Sequence, residues 1–520
     1  MIEDYVKIFP QDENNTALLM ASHPATWKNP DPLDVYDVAV IGCGPAGFAA
    51  AVESVRIGAK TAVIERGFVG GSYLVNGGIP IQCLARSVRN IGEMTRAPRY
   101  GVILSANIKT DFSAAMERMR YLRSQAAERY SIHLLAKMGV DVFLGEAVFT
   151  GKNSLEVNSK PIQFRKAIIA TGASGAFPVV DGLKEANPLT YSTIFNITAV
   201  PKRTAIIGGG FAACEIAQLF CRFGSKVTMI LRSGVLSRED AEVSSFVSEM
   251  LTKEGITMLS GRLRRVHSEH ADKVLIVDVT NGQKRIEVDE IIVATGVAPG
   301  ITGMGLEFAG VEYDKKIGIK TNFMLRTTNR NIYAAGDVCS EEKFGSVAEY
   351  MGTIAARNAL IPFWIEKGKN MVSWSLNTDP PIARIGLTEK QAAEKDMETE
   401  TVAIGFSEID RALVDGDEEG FIMVRTNKKN NIIVGAVIAG NAATEISALF
   451  SFAIKHKQKL RNLHKIITAS SAYVAGARKL ARKAQPGKVE QFFKEIAEAW
   501  LRVQRGGKKG NDTANNGQTN

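Results

Sequence analysis

Asp37-Val38-Ala39-Val40-Ile41-Gly42-Cys43-Gly44-Pro45-Ala46-Gly47 reads as a strand that ends in a glycine turn and enters a helix. The run Val38–Ile41 is apolar without polar alternation, the pattern of a parallel strand buried on both faces. Gly42 permits a tight turn, Gly44 brings bare backbone close to a pyrophosphate, and Gly47 lets the helix close on the strand. Pro45 and Ala46 open the helix, whose N-terminus faces the anion. An alanine-rich stretch to about Ile57 completes it, and Lys60–Glu65 gives the next strand. Glu65 lies 23 residues after Gly42, where a carboxylate can hold ribose hydroxyls.

The same layout recurs. Arg203–Ile207 leads into Gly208-Gly209-Gly210-Phe211-Ala212-Ala213, followed by a strand at Lys226–Leu231. Each half closes on Ala-Thr-Gly, at Ala170-Thr171-Gly172 and Ala294-Thr295-Gly296. This is a duplicated fold unit, and both turns are candidate dinucleotide sites. Asn331-Ile332-Tyr333-Ala334-Ala335-Gly336-Asp337 is a strand ending in Gly-Asp, placed to offer a carboxylate to the ribityl chain of FAD. The expected class is α/β: two Rossmann-like dinucleotide-binding domains plus a separate C-terminal α+β domain; a resemblance to a flavoprotein family, carried by these and the following motifs, implies that the first holds FAD, the second NAD(P), and that the third is a dimerisation domain. The expected boundaries are an extended arm over 1–35, FAD domain over 36–185 and 301–370, NAD(P) domain over 186–300, and dimerisation domain over 371–485. An amphipathic helix and a disordered basic tail are expected over 486–520. Ala114–Met138 reads as one long, partly exposed helix.

Composition narrows the classes. A chain of 520 residues, 45% hydrophobic, can bury several cores. It has no apolar run of membrane-spanning length and no basic N-terminal segment followed by an apolar one, so a cytosolic protein is expected. The five cysteines (Cys43, Cys83, Cys214, Cys221 and Cys339) form no Cys-x-x-Cys, which fits a reducing compartment and argues against a zinc site. From Lys455 onward there are 15 Lys/Arg against 4 Asp/Glu, a surplus of 11, while the rest nets −2. An anionic partner is therefore expected at the C-terminal end. Phe492, Phe493, Ile496, Trp500 and Leu501 at helical spacing, after Arg478, Lys479, Arg482 and Lys483, make peripheral membrane contact one candidate and packing on the protein itself another. Nothing points to nucleic acid.

The second nucleotide is expected to be NADPH rather than NADH. The strand after the second turn ends at Leu231 without a carboxylate; Arg232 follows it and Arg238 comes a short turn later. Two guanidiniums suit a 2′-phosphate through charge-assisted, bidentate bonds.

With these motifs in place, the chain resembles the class I pyridine nucleotide–disulfide oxidoreductases, in the branch of mercuric reductase and dihydrolipoamide dehydrogenase, over roughly residues 5–485. His23-Pro24-Ala25-Thr26-Trp27-Lys28-Asn29-Pro30, Gly139–Glu146, Val347-Ala348-Glu349-Tyr350 and Asp410-Arg411-Ala412-Leu413 extend the likeness. It implies a homodimer, with candidate cofactor positions at Gly42, Gly44, Pro45, Ala46, Gly47, Glu65, Gly71, Ser72, Thr171, Gly172, Gly208, Gly210, Phe211, Ala213, Arg232, Arg238, Gly296, Gly336 and Asp337.

Where that family's pattern reads G-G-x-C-x-x-x-x-C-x-P, this chain reads Gly70-Gly71-Ser72-Tyr73-Leu74-Val75-Asn76-Gly77-Gly78-Ile79-Pro80. Tyr73 and Gly78 stand at the two cysteine positions, and a dithiol relay needs two sulfurs within bonding distance. The resemblance also implies a lysine two residues after that proline, paired with Glu215; here the residue is Gln82. The family's C-terminal acid/base dyad maps onto Ile466 and Ser471, neither of which exchanges a proton as that role requires. Glu215, Tyr73 and Gln82 are the candidate catalytic positions. The expected activity is hydride transfer from NADPH to FAD, then electron transfer to a non-disulfide acceptor: a quinone, a small electrophile, oxygen or a protein partner. Two alternatives are a disulfide or metal-ion reductase using other cysteines, and a non-catalytic flavoprotein sensor or assembly partner.

Overall fold

The computed structural model describes residues 7–104, 108–270, 272–368, 372–467, 473–483 and 495–497. The chain opens with a helix, α1 (Glu13–Ser22), where the sequence reads as an extended arm. Its signal is in the cap: Asp12 Oδ1 accepts from Asn15 N at 2.8 Å, and Asp12 Oδ2 receives Arg120 Nε at 2.6 Å. Leu18 is buried against Phe68, Leu74 and Val75. The rest of the arm clamps a sheet edge. Asn29 exchanges hydrogen bonds with the backbone of Leu144 at 2.9 and 2.8 Å, and Trp27 Nε1 donates to Val142 O at 3.1 Å.

The first parallel sheet runs in the order Val140–Leu144, Thr61–Glu65, Tyr36–Ile41 and Lys160–Ile169, and Ile332–Ala334 pairs with Lys160–Ile169 from the far end of the chain. In register, Val40 faces Val63 on one side and Ile168 on the other. Helix α2 (Pro45–Ile57) starts at the glycine turn and ends at Gly58, whose φ of 94° makes a left-handed cap. After it come α3 (Gly71–Val75) and α4 (Gly78–Arg96). The stretch read as one long helix is two, α5 (Phe112–Ala127) and α6 (Ile132–Lys137), because Ser131 is extended and its hydroxyl accepts from Leu134 N at 3.1 Å.

The second parallel sheet runs Thr257–Ser260, Lys226–Leu231, Arg203–Ile207, Glu290–Val293, Leu189–Thr190, with α7 (Phe211–Arg222) and α8 (Ala241–Lys253) on it. A two-stranded antiparallel link, Ala173–Gly175 on Val297–Pro299, joins it to the first unit. An antiparallel five-stranded sheet, Ser373–Leu376, Ile382–Gly386, Ile433–Ala439, Phe421–Asn427 and Thr399–Gly405, carries the third unit. One apolar cluster runs through Leu84 and Val88 of α4, Phe220 and Phe223 of the second unit, and Trp374, Leu376 and Val437 of the third, so all three are packed together. Among the described residues no helix is long and apolar enough to cross a membrane. The expected C-terminal amphipathic helix and tail lie outside the described residues apart from 495–497.

Candidate active site

A single cavity of about 2280 Å³ follows the C-terminal ends of both parallel sheets and is lined by both glycine turns. Pockets for one drug-sized ligand hold roughly 300–1,000 Å³, so this one has room for two dinucleotides.

In the first turn Gly42 has φ 91°, and a Cβ there would stand 2.5 Å from the carbonyl oxygen of Ala170. A Cβ at Gly47 would stand 1.8 Å from Gly42 O. Gly47 therefore lies behind the cavity wall and serves the packing of α2, while Gly44, Pro45 and Ala46 line the space. Gly71 closes the floor, since a Cβ on it would reach Gly44 Cα at 2.6 Å. Ser72, Thr171 and Gly172 also line the cavity. Glu65 accepts from Cys43 N at 2.6 Å and Gly67 N at 2.7 Å, which fixes the carboxylate at the strand end. Across the cavity, Gly336 (φ 78°) turns the chain so that Asp337 faces in; burial raises this carboxyl to about 6, with the charge of Lys343 acting the other way. A bare backbone cradle at a helix N-terminus, with a carboxylate opposite, fits FAD.

The second turn repeats this construction. Gly208 (φ 131°) would bring a Cβ 2.2 Å from Ala294 O, Gly210 is open, and Ala213 is buried behind the wall. Gly296 lines the cavity at φ 109°. Arg232 and Arg238 are exposed in the lining and make no ion pair among the described residues. Two free guanidiniums beside a phosphate turn fit the 2′-phosphate of NADPH.

The two positions without sulfur touch each other. A side chain at Gly78 would begin 2.2 Å from Cδ2 and 2.3 Å from Cε2 of Tyr73. The same ring lies 2.9 Å from where a Cβ of Gly345 would be, with Tyr130 set edge-on at 6.1 Å. Tyr73 thus fills this wall, and a side chain at 78 or 345 would require its ring to move. Cys43, Cys83, Cys214 and Cys221 are free; Cys43, Cys214 and Cys339 are buried. Burial pushes the thiols of Cys43, Cys83, Cys214 and Cys221 up, away from the reactive thiolate. Of the C-terminal pair, Ile466 packs at the edge of the third unit's core, and Ser471 lies outside the described residues.

Glu215 is buried on α7, and burial raises its carboxyl from 4.5 to about 7. Its Oε1 accepts from Asn377 N and Asn377 Nδ2, both at 2.8 Å. Gln82 lines the same cavity, whereas both hydrogen bonds to Glu215 Oε1 come from Asn377. Asn377 comes from the third unit, 162 residues away, and no spacing in the sequence announced it. Its loop is pinned by Asp379, which receives Arg222 at 2.7 Å and Arg96 at 3.0 Å and exchanges backbone bonds with Gln218 at 2.8 and 2.9 Å. On the same helix as Glu215, Phe211 meets Phe344 at 5.3 Å and Trp374 at 4.5 Å, both edge-on, and the three rings form an aromatic cluster in the cavity lining.

Comparison with known proteins agrees with this geometry. Residues 36–356 match the pyridine nucleotide-disulphide oxidoreductase family, and 372–471 match the dimerisation domain of the same family. The chain is 34% identical over 430 residues to a mercuric reductase of Staphylococcus aureus, covering 82% of this chain and 78% of that one. It is 28% identical over 447 residues to a dihydrolipoyl dehydrogenase of Chlamydia muridarum, covering 84% and 94% respectively. Among solved structures it is similar to the HOCl-induced flavoprotein disulfide reductase RclA from Escherichia coli, with TM-score 0.75, 25% identity, and 86% and 100% of the two chains covered.

The Glu215 carboxyl yields a pH prediction. Its folded pKa of about 7 exceeds the ordinary 4.5, so the stability it contributes is complete below 4.5 and is lost as pH rises through 7. Glu215→Gln removes that loss. Its thermal midpoint should gain on the parent protein between pH 5 and pH 8, by the equivalent of up to about 3 kcal/mol. A midpoint difference that is flat with pH would contradict the assignment.

Proposed function

We propose that this chain, which belongs to the pyridine nucleotide-disulphide oxidoreductase family, takes hydride from NADPH onto FAD and passes the electrons to an acceptor that needs no dithiol. The acceptor class is a quinone, a small electrophile, oxygen or a protein partner. The observation that carries this reading is the ring of Tyr73 against Gly78, which leaves neither sulfur nor space for one where a dithiol relay would stand. The family match supports the flavin-dependent, nicotinamide-linked chemistry, and the dimerisation domain supports a homodimer.

When bound, FAD supplies a store for the two electrons of the hydride. The residues do the rest by position. Both glycine turns hold pyrophosphates by backbone N–H groups, and Arg232 and Arg238 bind the 2′-phosphate. Phe211, Phe344 and Trp374 give the cavity an apolar aromatic wall, which limits water and the approach of the two reacting partners. Glu215, held through Oε1 by Asn377, has a pKa near working pH and can keep or release a proton beside that wall. Reduction of a disulfide or a metal ion by other cysteines would need a thiolate. The described cysteines have thiols raised by burial or, for Cys339, a buried sulfur that donates to Gly336 O at 3.5 Å.

Two outcomes follow. Alkylating the accessible thiols of the NADPH-reduced protein should leave turnover with a quinone within about twofold, since half-buried Cys83 and Cys221 take no part; a loss of more than about tenfold that tracks modification of either would favour the cysteine route. Arg238→Ala should raise KM for NADPH by roughly 10- to 150-fold, the worth of one charge-assisted contact, and leave NADH unchanged. Equal losses with both nucleotides would remove the 2′-phosphate assignment.

A further inference from the structure

We infer that Lys343 is the cation that stabilises negative charge on the reduced flavin, and is therefore a further cofactor-contacting residue of the cavity. The inference rests on FAD binding in the family reading, not on the identity of the acceptor. Lys343 lines the cavity two residues before Gly345, the glycine against which Tyr73 packs. Its Nζ donates to Asp337 O at 2.7 Å and to Ser340 O at 3.1 Å. Two of three ammonium protons are thus spent on backbone carbonyls, and these bonds tie the charge to the Gly336–Asp337 turn. It makes no ion pair among the described residues; burial lowers its pKa, with the charges of Asp337 and Glu341 acting the other way.

Lys7, Arg66, Arg129 and Arg262 also line the cavity, and four further cations of the lining have other placements. Arg123 donates to Val75 O and Asn15 Oδ1, both at 2.7 Å. Arg384 is neutralised by Glu239 at 2.9 Å and Glu342 at 3.1 Å. Arg232 and Arg238 stand at the second turn, on the far side of α7's N-terminus from the first. Gln82, on α4, is neutral. The helix Gly345–Leu360 also starts here, so its positive end and the Lys343 ammonium address the same part of the cavity. Two electrons and one proton arriving as hydride leave a flavin one negative charge richer, and a cation fixed beforehand lowers that cost without reorganising.

The test reads the flavin and not turnover. Sulfite adds to oxidised flavin more tightly when positive charge is held beside the ring, so its titration of the yellow holoprotein reports that charge directly. The parent protein should bleach on sulfite addition. Lys343→Met should bind sulfite about tenfold more weakly or worse and lower the flavin midpoint by about 30 mV or more for the two-electron couple. Lys343→Arg should stay close to the parent, and Gln82→Lys in the Lys343→Met background should recover most of the loss. Sulfite affinity unchanged in Lys343→Met overturns the inference and leaves the family reading intact. If Lys343→Met does not retain flavin, Lys343→Gln is titrated in its place: sulfite binding weakened about tenfold supports the inference, and affinity equal to the parent overturns it. A parent protein that binds no FAD at all overturns the family reading and this inference together.

Discussion

Backbone pressed on backbone is the constraint from which the site is built. At Gly42 the turn lies against the carbonyl of Ala170, and at Gly208 against that of Ala294. Each pair joins the end of the first strand of a unit to the strand beside it, and neither leaves room for a Cβ. The turn can then present its N–H groups to a phosphate while the helix behind it packs on the sheet. Because the two units repeat this contact, the cavity along their strand ends is continuous, and the link Ala173–Gly175 with Val297–Pro299 holds them together.

Within that frame, the third unit does more than supply a dimerisation domain. Its Asn377 holds Glu215, and its Trp374 packs edge-on against Phe211 in the cavity wall. The Asp379 turn with Arg222, Arg96 and Gln218 makes this attachment firm. The region around Glu215 is therefore assembled from two units, and the third contributes a hydrogen-bond donor and an aromatic wall.

Much of this was legible in the chain, for a steric reason. Glycines with forbidden alternatives leave a fixed spacing, so the two turns, Glu65 and the Gly336–Asp337 strand end could be placed directly. The absence of sulfur at Tyr73 and Gly78 could also be read, but not that the two residues occupy the same space. Other features left no local signal. Helix α1 buries only Asn15, Leu18 and Ser22, two of them polar, so its period is faint between Pro10 and Pro24. The break at Ser131 was written as a cap and was missed inside a helical pattern. Asn377 depends on a contact with Glu215, 162 residues away, which single-sequence periodicity does not encode, and Lys343 on side-chain bonds to the carbonyls of the turn before it, which carry no motif.

Tyr73 stands at a position where the family's pattern has a cysteine, and the proposed electron transfer without a dithiol turns on it. Anaerobic titration of the purified yellow protein with NADPH tests this most directly. The account predicts complete reduction by one molar equivalent of NADPH per flavin, with no long-wavelength thiolate–flavin band on the way. Uptake of a second equivalent with that band present would mean that a redox-active disulfide is in contact with the flavin, and would contradict it.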